Sequence, residues 1–210
     1  MPGAAQRYVA KLAEVAPDAA ILDLEDGIAG SDVAAARGRV AAVLAAGSDN
    51  FLPPVVAVRS HPVSSAEFAA DVAALGPRLT VLMLPKVAGA AEVVTAVAEL
   101  QRSGLSHVAI VVMIESAVGL ENLAAILAAH SAVVGVAFGA EDFAADIGLP
   151  PPAVSQSGSS EASRAAAEGG RLAVLDAVRT RLVTAAAAAG VAWRIDTPVL
   201  QIRPVSAVEN

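Results

Sequence analysis

The sequence predicts an α/β protein with a parallel sheet, and three observations carry that prediction. Apolar runs rich in Val and Ile, without polar alternation, read as strands covered on both faces. The segments between them place apolar residues three and four apart, the spacing of crossover helices packed on a sheet. Charged residues then close successive units at an even interval. Asp26, Arg59, Lys86, Glu115 and Asp142 are separated by 33, 27, 29 and 27 residues, near the roughly 30 or more residues of one strand–helix–strand unit.

In order, Met1-Pro2-Gly3 is too short for an element and reads as the end of one. Residues 4–16 read as a helix with Tyr8, Leu12 and Val15 on one face, broken by Pro17-Asp18. Residues 19–24 form a buried strand ending in Glu25-Asp26-Gly27. Ser31 or Asp32 is placed to cap a helix over 33–46, closed by Gly47. A second strand covers 55–58, a helix 64–75 is stopped by Gly76-Pro77, and a third strand covers 80–84, with Pro85-Lys86 at its end.

A third crossover helix over 89–102 precedes the stretch on which the reading turns. Residues 110–115 read as a strand ending at Glu115. The segment AVGLENLAAILAAHS reads as one helix with Leu120, Leu123, Ala124 and Leu127 on its buried face, and VVGVAFGAEDF carries the next strand toward Asp142. Parallel strands joined by a right-handed crossover lie side by side with matching ends aligned. Glu115 and Asp142 are therefore expected at one end of the sheet, where α/β folds open their pockets. Residues 147–164, rich in Pro, Gly and Ser, read as a long lid-like loop. A helix over 165–189, with its start expected at Gly169-Gly170, and a last strand within 191–202 near Asp196 complete six clear strands.

The length fits one domain with a substantial core. A net charge of −7 and the lack of a basic run argue against nucleic acid as partner. The absence of cysteine excludes disulfides and thiolate metal sites. Residues 122–140 form a 19-residue run without Asp, Glu, Lys or Arg, but His130, Ser131 and Gly135 interrupt it where helix should pass to strand, so no membrane span is expected. The N-terminus lacks the apolar stretch of a signal peptide, and a cytoplasmic location is expected.

Two carboxylates at neighbouring strand ends repel and desolvate each other unless a cation or protons intervene, and oxygen-only ligation suits Mg2+ or Mn2+. Glu115 and Asp142 are thus the expected metal ligands, with Glu141 an alternative to either. The competing reading makes Glu115 or Glu141 simply the cap of the following helix. Arg59 in the same mouth suits a substrate carboxylate or an oxyanion, or a structural ion pair with Glu25 or Asp26. Glu25 and Asp26 suit a base, a contact to metal-bound water, or an orienting partner of Arg59, although Asp-Gly is itself a turn signal. Lys86 suits a carboxylate or phosphate contact, or simple solvation. His61 alone among the three histidines falls near a strand end, and no nucleophile elbow, P-loop or GxGxxG segment is present.

The motifs ILDLEDG, VRSHP, LPKV, VVMIESAVGLEN and AFGAEDF, in that order, resemble the HpcH/HpaI aldolase and citrate lyase beta-subunit-like family. The resemblance runs from Gly3 to about Ile202. It implies a (β/α)8 TIM-type barrel over residues 1–210 that reads as incomplete at both ends: Pro2-Gly3 stands for the family's first strand, and the chain stops at Asn210. It implies reversible carbon–carbon cleavage of an acyl-CoA thioester such as citryl-, malyl- or citramalyl-CoA. The alternatives are a 2-oxo acid aldolase not using CoA, or a non-catalytic subunit or binding module that keeps the metal pocket. By position, Glu115 and Asp142 match the magnesium ligands, Arg59 the arginine on the substrate oxygen, Glu25 and Asp26 the acidic pair of the pocket, and Lys86 the lysine of the Pro-Lys turn. A homo-oligomer, a trimer or hexamer, is also implied. The sequence departs from the family at Ser60-His61, where an Asn is typical, and at Gln201 and Pro204, where acids are common.

Overall fold

The computed structural model describes residues 2–3, 5–26, 28–46, 53–150 and 160–197. Six parallel strands form one sheet in sequence order: β1 Ala19–Asp23, β2 Val55–Arg59, β3 Val81–Leu84, β4 Ala109–Ile114, β5 Val133–Phe138 and β6 Trp193–Ile195. Every pairing is between consecutive strands and parallel, so each connection is a crossover, and the sheet curls as a partial barrel of the TIM type. Among the described residues the α-helices are α1 Gln6–Val15, α2 Val33–Ala46, α3 Phe68–Ala74, α4 Ala90–Arg102, α5 Ala117–Glu121, α6 Leu123–Leu127, α7 Ala140–Asp146 and α8 Glu161–Ala188.

The strands are apolar on both faces but not alike on the two. Leu22, Val58, Leu82, Leu84, Ile110, Val112 and Ile114 are almost fully buried in the large core. Alternate positions, Ala57, Val81, Met83, Val111 and Ala137, make a second, smaller cluster on the inner face. Because side chains alternate across a strand, following the inner-face phase one step further gives Asp23 after Ile21, Arg59 after Ala57, and Glu115 after Met113. The inner face therefore turns from apolar to charged at the carboxyl ends of the strands.

Pro2 bridges Asp23 in parallel, and the Gly3 N–H donates to the Asp23 carbonyl at 2.7 Å. Pro2 and Gly3 thus lie along the edge of β1 away from β2. On α8, Leu175, Val178, Leu182 and Ala186 are buried at three- and four-residue spacing, the stripe of a helix packed on a sheet.

Several local expectations are corrected. Ser31 and Asp32 form a 3-10 turn with Gly30 that runs into α2. The helix expected over 64–75 starts at Phe68, because Ser65 turns back on Pro62 and its hydroxyl takes the Glu67 N–H at 3.2 Å, local bonding that competes with helix. The single helix after Glu115 is two, α5 and α6, divided at Asn122, whose side-chain amide donates to the Ala88 carbonyl at 2.8 Å. Ile126 is buried there and Ala124 is exposed. Helix α8 starts at Glu161 and passes through Gly169-Gly170 unbroken, so the lid-like loop expected at 147–164 is helical over its last four residues; 151–159 lie outside the described residues. Gly47 and residues 198–202 of the last expected strand lie outside them as well. Among the described residues no helix is long and apolar enough to cross a membrane.

Candidate functional site

Arg59 ends β2 and faces Asp23, its register partner on β1. Its Nε and Nη2 each donate to one Asp23 oxygen at 2.7 Å, a bidentate charge-assisted pair that fixes the guanidinium plane. Nη1 lies 2.8 Å from Glu25 Oε2 and 3.4 Å from Asp26 Oδ2. Burial pushes the Asp23 carboxyl up, but the hydrogen bonds and charge of Arg59 outweigh it and hold the group below the usual carboxylate range. The sequence reading paired Arg59 with Glu25 or Asp26 and missed Asp23, the strongest partner. The available signal was Asp23's place in the inner-face alternation.

Glu25 is buried, with Oε1 2.7 Å from Lys86 Nζ and Oε2 2.8 Å from Arg59 Nη1, in both cases off the line of a hydrogen bond. Burial raises its pKa from the ordinary 4.5 to about 7, against the pull of Lys86 and Arg59 and with the help of the Asp26 charge. A raised acid binds its proton more tightly folded than unfolded, so Glu25 makes stability fall as pH rises from 4.5 to about 7. The expected loss over that window is at most about 3 kcal/mol. Urea unfolding of wild type and Glu25→Gln at both ends of the window checks this: the variant should lack that part of the slope, and equal slopes would refute it.

Glu115 stands one residue beyond β4 on the inner face, 6 % exposed. The Lys86 N–H donates to its Oε2 at 2.7 Å. Burial pushes its carboxyl above the usual range; the Lys86 N–H works against this, and the charge of Asp142 adds to it. Its carboxylate lies against Gly139: a Cβ at that position would stand 2.3 Å from Glu115 Oε1 and 2.5 Å from Cγ. Asp142 sits not at the strand end but in the first turn of α7, where a carboxylate also gains from the helix dipole.

Lys86 follows β3 with φ +54. Its Nζ is 2.7 Å from Glu25 Oε1, 3.4 Å from Asp26 Oδ1 and 3.7 Å from Asp142 Oδ2. Burial disfavours the ammonium, yet Glu25, Asp26 and Asp142 together hold its pKa well above the ordinary lysine value. Glu141 is engaged elsewhere, on Nη2 of the buried Arg171 of α8 at 2.8 Å, and the same arginine donates to the Pro150 carbonyl at 3.2 Å.

Asp26, Arg59, Glu115 and Asp142 rim one cleft of about 260 Å³, floored by Met83 and Met113. The carboxylates there offer oxygen ligands, and a carboxylate raised by burial and further by an acidic neighbour is the arrangement a dication relieves. Among the described residues no group of three or more acids or histidines is arranged as a metal cage. Two carboxylates suffice for Mg2+, which keeps several waters and uses one or two protein carboxylates. The pair therefore fits the ion. His61 stands apart: its Nδ1 and backbone N both lie 2.7 Å from Asp71 Oδ2, and Arg37 Nε donates to the other oxygen at 2.6 Å. Arg37 also pairs with Glu67. That network ties β2 to α2 and α3 rather than joining the cleft.

Residues 1–207 match the HpcH/HpaI aldolase/citrate lyase family. Among curated relatives, the L-malyl-CoA/beta-methylmalyl-CoA lyase of Cereibacter sphaeroides is 34% identical over 158 residues, 70% of this chain and 49% of that protein. The citrate lyase subunit beta-like protein of Deinococcus radiodurans is 34% identical over 149 residues, 70% of this chain and 52% of that protein. The chain spans about half the length of these relatives. Among solved structures, protein CitE of Mycobacterium tuberculosis in complex with magnesium and acetoacetate covers the chain at 100%, with 75% of its own length matched, 30% identity and a TM-score of 0.71.

Proposed function

The chain belongs to the HpcH/HpaI aldolase/citrate lyase family, and from that premise we propose that it is a Mg2+-dependent carbon–carbon lyase acting on an acyl-CoA thioester such as malyl-, citramalyl- or citryl-CoA. The observation that carries the reading is that Glu115, Asp142 and Arg59 line one cleft. The named relatives are a malyl-CoA/beta-methylmalyl-CoA lyase and a citrate lyase beta-like protein, and the solved CitE structure is a complex with magnesium and acetoacetate.

Glu115 and Asp142 would hold the ion, Mg2+ or in its place Mn2+. When bound, such an ion supplies Lewis-acid polarisation of the substrate's oxygens. Arg59, held in plane by Asp23, binds the substrate oxygen on which negative charge grows as the bond breaks. Asp26, with its side chain 54% exposed at the rim, takes the proton of the substrate hydroxyl as its carbon becomes a carbonyl. The electron pair of the broken carbon–carbon bond passes to the thioester α-carbon as an enolate, which is then protonated. Glu25 is the buried post that holds Arg59 and Lys86 in position, and Lys86 supports an anionic group of the substrate.

The test is purified protein with Mg2+ and each thioester, followed for release of glyoxylate, pyruvate or oxaloacetate. Product from a thioester supports the reading. Product only from a free hydroxy-oxo acid makes the protein a 2-oxo acid aldolase, and Mg2+ binding without product makes it a binding module. A single barrel domain over 1–210, a trimer or hexamer, and a cytoplasmic location belong to the same proposal. Light scattering after size exclusion checks the assembly.

A further inference from the structure

Among the described residues only Ala16 and Lys86 combine a side chain with positive φ. Ala16 ends helix α1, a common place for that conformation. Lys86 does not end a helix; it sits between β3 and α4, inside the cleft's charge cluster. The left-handed region costs a residue with a Cβ roughly 1–2 kcal/mol, which Gly would avoid. Backbone geometry therefore does not account for a lysine here, and the position of its ammonium does.

Lys86 acts on the site through two separate atoms. Its backbone N–H fixes Glu115 Oε2 at 2.7 Å, while its ammonium lies 3.7 Å from Asp142 Oδ2. One residue thus holds one carboxylate of the pair in place and partly neutralises the other. We propose that the Lys86 ammonium is an internal rival of the divalent cation for Asp142, so that metal binding drives the ammonium off Asp142 and frees it for an anionic group of the substrate. The inference rests on the metal reading above and adds an order of events: cation first, anion second. An ammonium and a dication both close to the Asp142 carboxylate repel each other, so each weakens the hold of the other there. The ammonium has somewhere to go, since its side chain is 42% exposed and Glu25 and Asp26 remain within 2.7 and 3.4 Å. Coupling of this kind is reciprocal: whatever the metal does to the ammonium, removing the ammonium does for the metal.

Calorimetric titration of the full chain with Mg2+ tests this on wild type, Lys86→Gly and Lys86→Met. The glycine variant keeps the backbone N–H on Glu115 and relieves the left-handed strain; the methionine variant keeps the side-chain bulk. Both should bind Mg2+ about tenfold more tightly than wild type. A second readout is acylation of the Lys86 amine by an N-hydroxysuccinimide ester, followed by mass spectrometry, which should speed up severalfold on saturation with Mg2+. Wild type that binds Mg2+ while both variants bind no more tightly would overturn the rivalry and leave the metal reading standing. No Mg2+ binding in any of the three would overturn both.

Discussion

Gly139→Ala is expected to remove Mg2+ binding while leaving the fold in place. The residue follows β5, with φ −95 and ψ 80, a conformation open to any side chain, so space rather than backbone freedom demands glycine. A methyl group there would meet Glu115 at three atoms, between 2.3 and 2.8 Å. Something has to shift, and the Glu115 carboxylate is the nearest movable group. It cannot shift freely, because it is buried and its Oε2 is held by the Lys86 N–H. The carboxylate therefore leaves its position in the cleft it shares with Asp142. Overpacking of this kind costs about 1–3 kcal/mol of stability, whereas loss of one of two protein ligands should weaken Mg2+ binding by two orders of magnitude or more. Thermal unfolding and Mg2+ calorimetry on the same preparation separate the effects. Unchanged affinity in Gly139→Ala would mean that Glu115 is not a ligand.

Arg59→Met is expected to lower kcat for thioester cleavage by about 100- to 1000-fold, the range for removing one donor to a developing oxyanion. The same substitution leaves Asp23 and Glu25 buried without their shared cation, at a cost of about 3–5 kcal/mol. Asp23→Asn attacks the pair from the other side. It keeps the shape but weakens the bidentate hold, so Arg59 is free to fold onto Glu25 and Asp26. Since Asp23 acts through Arg59, the two losses should not add: the double variant should be no slower than Arg59→Met alone. Rates that multiply in the double variant would give Asp23 a role independent of the arginine.

The parallel sheet and its six strands were legible because β2 to β5 are built on apolar runs bounded by turn residues. The even spacing of Asp26, Arg59, Lys86, Glu115 and Asp142 likewise foretold a charged rim, and these residues do meet there. Hidden from the sequence were features that depend on side chains meeting across strands. Asp23 lay inside an apolar run, and only its register with Arg59 shows what it does. Gly139 looked like punctuation between strand and helix, yet it is the surface on which Glu115 rests. The division at Asn122 was equally hidden, because the carbonyl that draws its side chain out belongs to Ala88, 34 residues earlier. His61 drew notice by falling after a strand, but its partner Asp71, fully buried on α3, turns it into a tie between elements.

The claim on which the rest depends is that Glu115 and Asp142 serve one cation. Crystals grown with Mn2+ and measured at a wavelength where manganese scatters anomalously address it directly. The expected result is a single strong anomalous peak within about 2.3 Å of a carboxylate oxygen of each residue, reduced to background in Glu115→Gln. A peak bonded to other residues, or none at saturating Mn2+, would contradict the site.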